Sequence, residues 1–169
     1  MNRICQVVGR LMWLMALPLA MPLSLAQAAA GGEVLNTPAM LVPQATSAVL
    51  LDLARAGSRL VAVGERGIVL LSDDNGASWR QVAVPVSVSL TAVQFVDANT
   101  GWAVGHGGVV LASRDGGEHW VVQLDGPRAA QLELAAASAQ LPSANDQDAA
   151  AARVQTAERY VSEGADKPF

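Results

Sequence analysis

Two aspartates occupy equivalent positions in a repeated sequence pattern, and aspartate carboxylates can act in catalysis or bind metal ions. Asp74 lies in the segment Ser72–Trp79 and Asp115 in the segment Ser113–Trp120, and both segments follow the pattern S-x-D-x-G-x-x-W. A carboxylate in a glycine-containing turn could transfer a proton or bind calcium. It could instead accept hydrogen bonds from the amides of its own turn, as aspartates in Asx-type turns do.

The spacing within each segment favours a structural role for the aspartate in its turn over proton transfer or calcium binding. The glycine two residues after each aspartate supplies a positive φ, which residues with a Cβ resist. The tryptophan that ends each segment buries a large ring. A carboxylate saturated by backbone donors is a poor acid, base or metal ligand. We therefore predict no catalytic residues, and we assign structural roles in the two turns to Ser72, Asp74, Gly76, Trp79, Ser113, Asp115, Gly117 and Trp120.

The remaining candidates for chemistry are two histidines and a glycine-rich loop. His106 and His119 are the only histidines of the sequence, and they lack the i, i+4 spacing and the cysteines of common metal sites. The loop Gly105–Gly108 does not lead into a predicted helix, so it lacks the geometry that cradles phosphate. The sequence therefore predicts neither a metal site nor a cofactor.

Two loops between predicted strands are candidates for contact with a partner. Glu65 and Arg66 lie in the first loop, and His106 lies at the equivalent place in the second. Such loops can carry binding residues, but polar loops are also the ordinary covering of a protein surface. Both interpretations of these three residues stay open.

The two segments belong to a longer internal repeat. Ala62–Trp79 and Ala103–Trp120 are identical at 10 of 18 positions when they are aligned with an offset of 41 residues. A period of this length is typical of repeat architectures, and four short strands per unit are typical of one β-propeller blade. The predicted strands are 49–53, 59–63, 68–71 and 78–83 in the first unit, and 91–96, 101–104, 109–112 and 119–124 in the second.

Residues 1–28 have the form of a signal peptide for export. Two arginines precede an apolar run, Leu11–Leu25, and Ala26–Ala28 supplies the small residues that precede a cleavage site. Two prolines interrupt the apolar run, which disfavours a membrane anchor because a span requires about 20 apolar residues. We expect a periplasmic or secreted protein that is cleaved near Ala28 and has no membrane span afterwards.

The composition of the chain after cleavage limits the classes of partner that it is expected to bind. Cleavage removes the only cysteine, Cys5, and two of the 11 basic residues, which leaves nine basic against 15 acidic residues and a net charge of −6. The mature chain would then have no disulfide. An acidic chain without a basic stripe argues against nucleic acid as a partner.

The secondary structure of the leader, of the alanine-rich linker and of the C-terminal segment is predicted from their prolines, their alanines and the spacing of their apolar residues. Prolines in the leader disfavour a helix there, and an extended segment around Ala39–Val42 fits its composition. The predicted apolar stripe of the C-terminal helix is Ala150, Val154, Ala157 and Val161, and a mobile, weakly helical insert is the alternative. The predicted order is a leader (29–47), two blades (48–126), an alanine-rich linker (127–144) and a helix (145–164).

Both turns fit the Asp box, also called the BNR repeat. Together with Val63–Gly67 and Gly101–Gly108, they resemble the bacterial and plastid relatives of the photosystem II assembly and stability factor. The resemblance covers about 49–126 and the tail Glu158–Phe169, and residues 165–169 look like the start of a further blade. It implies a seven-bladed β-propeller that binds a client protein and catalyses no reaction. In photosynthetic members the client is the precursor of a photosystem II reaction-centre subunit.

Asp boxes also occur in sialidases and other glycoside hydrolases, so a fragment of such an enzyme is the alternative function. These enzymes require arginines for a substrate carboxylate and a Tyr–Glu pair, or two opposed carboxylates. The chain has one tyrosine, Tyr160, in the predicted helix, and the predicted blades hold no evident arginine triad. The sequence therefore favours the binding protein over the enzyme.

Two predicted blades are fewer than the four to eight that typically close a propeller. We therefore expect either a truncated member of the family or a chain that closes by self-association, because the open edges of an incomplete propeller invite association. We therefore expect an all-β fold, a partial β-propeller of two four-stranded blades followed by an α-helical insert. A client protein is the expected partner, and self-association through the open blade edges is a further expectation.

Overall fold

The computed structural model describes residues 34–141 and 145–163. In this part of the chain, two four-stranded sheets are followed by two helices. The predicted signal peptide, its cleavage site near Ala28 and the expected start of a further blade at 165–169 lie outside the described residues.

The eight strands form two antiparallel sheets of the same design. Every strand pairs with the next strand along the chain, so each sheet is a meander. The first sheet consists of β1 (Leu50–Ala56), β2 (Arg59–Gly64), β3 (Val69–Ser72) and β4 (Arg80–Gln81), and the second of β5 (Leu90–Phe95), β6 (Gly101–Gly105), β7 (Val110–Ser113) and β8 (Val121–Leu124). The prediction of two four-stranded β units is confirmed.

The last strand of each sheet begins later than predicted. β4 begins two residues after Ser78, and β8 begins two residues after His119. The backbone N–H of Ser78 donates to the Asp74 carboxylate, and that of His119 donates to the Asp115 carboxylate. These two amides bond within their turns and not across the sheet, which delays the start of each strand.

Each sheet has two faces, which we call forward and rear, and equivalent positions carry the same name in both sheets. The paired residues of the middle strands define the faces. The forward faces carry Val61, Val63, Val69 and Leu71 in the first sheet and Trp102, Val104, Val110 and Ala112 in the second. The rear faces carry Ala62, Ile68 and Leu70 in the first sheet and Ala103, Val109 and Leu111 in the second.

One hydrophobic core fills the space between the two sheets. The forward face of the first sheet and the rear face of the second sheet contribute to it, and the residues named for these two faces are at most 1% exposed. The Val93 N–H donates to Asp52 Oδ2 at 2.8 Å and joins the first strands of the two sheets. The sheets are therefore stacked front to back in chain order.

The leader packs against the first sheet. Leu35 and Ala39 belong to the core between the sheets, and the Ala39 N–H donates to the Val84 carbonyl at 2.9 Å. A short helical turn, Ala45–Ser47, follows, and Ala45 packs on the rear face of the first sheet.

The segment around Ala39–Val42 is held largely by one side chain. The Gln81 carboxamide accepts from the Val42 N–H and donates to the Met40 carbonyl, both at 2.9 Å. This segment, whose composition fits an extended form, is not a strand of either sheet.

The region after the second sheet differs from the expected linker. Residues 127–140 are helical, within α1 (Gly126–Gln140), because Pro127 stands in the first turn and the Asp125 side chain accepts from the Arg128 N–H at 2.8 Å. Both features start helices well. The second helix, α2 (Gln147–Glu163), packs against α1, and its Ala157 is buried while its Val161 is exposed.

Candidate functional site

The segment Ser72–Trp79, here called the first corner, is closed by its own side chains. Asp74 Oδ1 accepts from the Ser72 hydroxyl and from the Ser78 N–H, both at 2.8 Å, and its Oδ2 accepts from the Ser78 hydroxyl. The Ser72 hydroxyl in turn accepts from the Gly76 N–H at 2.7 Å. The Trp79 Nε1–H donates to the Gly76 carbonyl at 3.1 Å, so the ring is fixed against the same turn.

The segment Ser113–Trp120, here called the second corner, repeats this pattern bond for bond. Asp115 Oδ1 accepts from the Ser113 hydroxyl at 2.9 Å and from the His119 N–H at 3.0 Å. Asp115 Oδ2 lies 2.7 Å from His119 Nδ1, where the first corner has a serine hydroxyl. The Gly117 N–H donates to Ser113 Oγ, and the Trp120 Nε1–H donates to the Gly117 carbonyl, both at 2.9 Å.

The backbone of both corners passes through the left-handed region twice in succession. Asn75 (φ 59°) and Gly76 (φ 95°) do so in the first corner, and Gly116 (φ 70°) and Gly117 (φ 87°) do so in the second. A Cβ on Gly117 would also lie 3.2 Å from the Leu71 side chain of the first sheet. Glycine at this place therefore serves both the turn and the contact between the sheets.

The hydrogen bonds keep both corner carboxylates ionised. Donation from the Ser78 hydroxyl and N–H and from the Ser72 hydroxyl lowers the pKa of Asp74 to about 2. At Asp115, desolvation acts to raise the pKa, but the hydrogen bonds from His119 and Ser113 outweigh it and lower the pKa. Both groups are poor proton donors at neutral pH, and their oxygens are occupied by donors of the same turn.

The two tryptophans are buried to different extents. Trp120 is buried in the core between the sheets and contacts the Phe95 ring edge to face, with ring centroids 6.0 Å apart. Trp79 is half-buried beside the rear face of the first sheet. The difference arises because Trp120 packs into the core between the two sheets, whereas Trp79 packs with the rear-face residues of the first sheet, which no second sheet covers within the described residues.

The two candidate contact loops have the same conformation. Each is a single helical turn, Glu65–Gly67 or His106–Gly108, and its central residue has a positive φ: 54° at Arg66 and 67° at Gly107. Arg66 and His106 are exposed, whereas Glu65 is half-buried and accepts from the Val49 N–H at 3.2 Å. An arginine held in the left-handed region at a place where the other unit has glycine is unusual.

An ion cluster that was not predicted from the sequence joins the two sheets. Arg59 binds Asp73 through two nitrogens, at 2.5 and 3.1 Å, and its Nη1 lies 2.8 Å from Glu118 Oε1. Arg80 also binds Glu118. Hydrogen bonding to Asp73 raises the pKa of Arg59, and the guanidinium of Arg80 lowers the pKa of Glu118.

A signal for this cluster was present in the repeat. With the 41-residue offset, Arg59, Asp73 and Arg80 align with Thr100, Arg114 and Val121, and Glu118 aligns with Ala77. The cluster therefore occupies positions where the two units differ in charge. Positions at which the two units differ in charge indicate residues that contact the other unit, whereas positions that are identical in both units maintain the fold of each unit.

A cavity of about 530 Å³ lies between the leader and the first sheet. Met40, Val42 and Ile68 supply apolar lining, and Glu65 and Arg66 bring the first candidate loop to it. Neither corner lines this cavity. Within residues 34–141 and 145–163, no three carboxylate, histidine or cysteine side chains are grouped to hold a metal ion.

A known protein family matches the part of the chain that contains both corners. Residues 71–141 match the family model described as photosynthesis system II assembly factor YCF48, and this range contains both corners and the whole second sheet. The resemblance to this family is confirmed. The search of curated proteins found no match.

A solved structure titled "YCF48 bound to D1 peptide" is also similar to this chain. The sequence identity is 27%, the TM-score is 0.43, and the match covers 51% of this chain and 29% of that chain. The chain therefore spans less than a third of the structure that it matches. No helix in the described part of the chain combines the length and the apolar character needed to cross a membrane.

Proposed function

We propose that this chain is part of an exported, non-enzymatic Asp-box β-propeller that binds a client protein. In this proposal the first and second corners are Asp boxes, and each four-stranded sheet is one blade. The protein then acts as an assembly or folding factor for an envelope or membrane protein. It works by presenting a rigid surface to the client.

The match of residues 71–141 to an assembly-factor family carries this proposal. The matched range holds both corners, each of which ties its aspartate to neighbouring donors. Such corners make stacked sheets rigid and leave their outer loops free to vary, which suits a binding scaffold.

The chemistry of the aspartates argues against the glycoside hydrolase alternative. Glycoside hydrolysis requires one carboxyl group that holds a proton near neutral pH and a second that attacks or activates water. The lowered pKa of Asp74 and Asp115 and the occupation of their oxygens suit neither role. Among residues 34–141 and 145–163, no arrangement of side chains favours the enzyme.

The candidate loops supply the residues for a binding test. The proposal assigns client contact to Arg66 and His106, which are exposed at equivalent places in the two units. We would replace both in one variant, Arg66→Gly with His106→Ala. The matched control replaces another exposed arginine and a histidine, Arg114→Ala with His119→Ser, at the second corner.

The measurement is capture of cross-linked partners from an envelope fraction, followed by quantitative mass spectrometry. We expect wild type and control to enrich the same membrane or envelope protein, and the loop variant to lose that enrichment about tenfold. Equal enrichment by the loop variant and the control would refute the assignment of the loops. Absence of any protein enriched by wild type would refute the proposed function.

Export is tested separately from binding. The chain is expressed with residues 1–28 intact, and the N-terminus of the protein in the periplasmic fraction is sequenced. We expect an N-terminus that begins just after Ala28, in keeping with the signal-peptide pattern. A full-length chain in the cytoplasmic fraction would contradict export.

A further inference from the structure

The cavity between the leader and the first sheet combines an apolar lining with two charged residues. Its most buried apolar residue is Ile68, which is 5% exposed, and Met40 and Val42 line it from the leader. Arg66 and Glu65 bring charges of both signs from the first candidate loop. The volume of about 530 Å³ lies in the range of cavities that hold ligands, roughly 300–1,000 Å³. A ligand that fills the cavity must therefore carry an apolar part and a polar part close together.

The leader side of the cavity has a fixed backbone and an exposed side chain. The Gln81 carboxamide accepts from the Val42 N–H and donates to the Met40 carbonyl, both at 2.9 Å. The Met40 side chain is nevertheless 78% exposed, more than any other large apolar side chain of residues 34–141 and 145–163. Methionine is flexible and polarisable, so it adapts to apolar ligands of different shape. This combination is typical of a binding surface.

Arg66 is a cation without an anionic partner at this cavity. None of the ion pairs formed among residues 34–141 and 145–163 includes it. Its φ of 54° is strained for a residue with a Cβ, and the other unit has Gly107 at this place. The neighbouring Glu65 instead accepts from the Val49 N–H at 3.2 Å. The chain thus keeps a strained arginine whose charge an anionic group of a partner would neutralise.

Stacking of a further unit does not by itself close such a place. The rear face of the second sheet packs on the first sheet, yet Leu35 of the leader still reaches the second candidate loop. A Cβ on Gly107 would lie 3.0 Å from the Leu35 side chain. A segment that belongs to neither sheet therefore contacts the loop of a stacked unit through an aliphatic side chain. The first candidate loop can receive a segment in the same way within a larger propeller.

We infer that the cavity binds an extended segment of the client protein, with an aliphatic side chain beside Met40 and Ile68 and an adjacent acidic side chain paired with Arg66. This inference rests on the proposed function, because it names the kind of client segment that the first candidate loop contacts. The apolar lining selects the aliphatic residue, and the unpaired guanidinium selects the carboxylate. Glu65 disfavours a second acidic residue, because it holds a negative charge at the same cavity.

Synthetic peptides test the two requirements separately. The probe is the peptide Gly-Ser-Gly-Leu-Asp-Gly-Ser-Gly, and its binding is measured by NMR titration of the backbone amides of the purified chain, up to about 5 mM peptide. Two control peptides carry Ser in place of Leu or Asn in place of Asp. We expect the loss of the aliphatic side chain to weaken binding about tenfold. The loss of the carboxylate should weaken it about fivefold, the upper range for an exposed ion pair.

Variants of the chain test the two sides of the cavity. Met40→Ser should weaken binding of the probe about tenfold, and its matched control is Leu132→Ser, which changes an exposed apolar side chain of α1. Arg66→Gly should weaken binding about fivefold, although it relieves the strained backbone and so does not destabilise the fold. Its matched control, Arg114→Ala, changes an exposed arginine at the second corner and should bind the probe like wild type.

A reversal of charge separates pairing from a structural effect. Arg66→Glu should prefer a probe that carries Lys in place of Asp, whereas wild type prefers the Asp probe. Differential scanning calorimetry confirms that each variant keeps its fold. A purely structural role for Arg66 would leave the preference unchanged.

Four outcomes would overturn the inference. These are no shift of any amide at the highest probe concentration, shifts confined to amides away from Met40 and Arg66, equal binding of the probe and its two control peptides, and an Arg66→Glu variant that still prefers the Asp probe. Client capture decides the proposed function separately. A client captured equally by wild type and by Met40→Ser would refute the cavity as its site and leave the proposed function intact. Capture of no client would refute the proposed function even if the probe binds.

Discussion

Each corner is fastened by one carboxylate that receives donors from both sides of its turn. The carboxylates of Asp74 and Asp115 accept hydrogen bonds from the hydroxyl of the serine two residues earlier and from the backbone N–H of the residue four positions later. An amide in place of the carboxylate offers one acceptor oxygen and brings an NH₂ group toward these donors. We expect Asp74→Asn and Asp115→Asn each to lower the melting temperature by several degrees.

Differential scanning calorimetry checks this expectation for both variants. The control is Asp148→Asn, which changes an exposed aspartate in the first turn of α2. If both corner variants melt at the wild-type temperature, the carboxylates do not hold the corners closed.

The low pKa of Asp74 sets a direction for the effect of acid on stability. The folded-state pKa of about 2 lies below the ordinary value of 3.8. Stability from the ionised carboxylate is therefore fully present above pH 3.8 and is lost as the pH falls from there through 2. We expect the free energy of unfolding of wild type to fall more steeply in this range than that of Asp74→Asn.

Urea titrations at several pH values between 2 and 6 measure this difference. The difference in free energy of unfolding between wild type and Asp74→Asn should shrink in acid, where the wild-type carboxylate is protonated. Parallel curves for the two proteins would contradict the assigned pKa.

The arginine in the first candidate loop has a strained backbone. Arg66 has φ 54° and ψ 30°, and the equivalent residue in the second unit is Gly107. Arg66→Gly should raise the free energy of unfolding by about 0.5–1 kcal/mol, because glycine adopts this conformation without steric penalty. The measurement is urea unfolding.

The reciprocal variant, Gly107→Ala, should be less stable than wild type. Its φ is 67°, and a Cβ there would lie 3.0 Å from the Leu35 side chain. A stabilised Gly107→Ala would show that the left-handed backbone is not the source of the strain at this place.

The strands were easier to predict from the sequence than the contacts between sheets. Alternating apolar residues and glycine turns identify all eight strands, because both follow from neighbours along the chain. The ion cluster of Arg59, Asp73 and Glu118 escaped prediction because it depends on how two sheets stack. α1 was missed because its start relies on Asp125 and Pro127, which also fit a loop.

The ion cluster links the first and second sheets at one edge of their contact. Arg59→Ala removes the residue that reaches both Asp73 and Glu118, and we expect this change to lower the free energy of unfolding by about 1 kcal/mol in low salt. The loss should shrink in about 1 M salt, which screens partly exposed charges. Arg153→Ala, whose 4.0 Å pair with Glu133 is exposed, is the control and should have little effect.

The core between the sheets makes the two repeat units one folding unit. Leu71 of the first sheet and Leu111 of the second are almost completely buried in the same core. We expect Leu71→Ala and Leu111→Ala each to cost about 2–5 kcal/mol. Both should shift a single urea transition, followed by tryptophan fluorescence and by circular dichroism. Two separate transitions would show that the sheets unfold independently.

In each corner, the serine, aspartate and tryptophan side chains make the hydrogen bonds that close the turn within eight consecutive residues. A copied unit therefore carries the serine, aspartate and tryptophan side chains that close its own turn, and these side chains need no new partners when the unit is inserted beside an existing one. Only the surfaces between units, such as the positions of Arg80 and Glu118, must adapt afterwards. Gene duplication can lengthen such a protein in steps of one unit while each intermediate stays foldable.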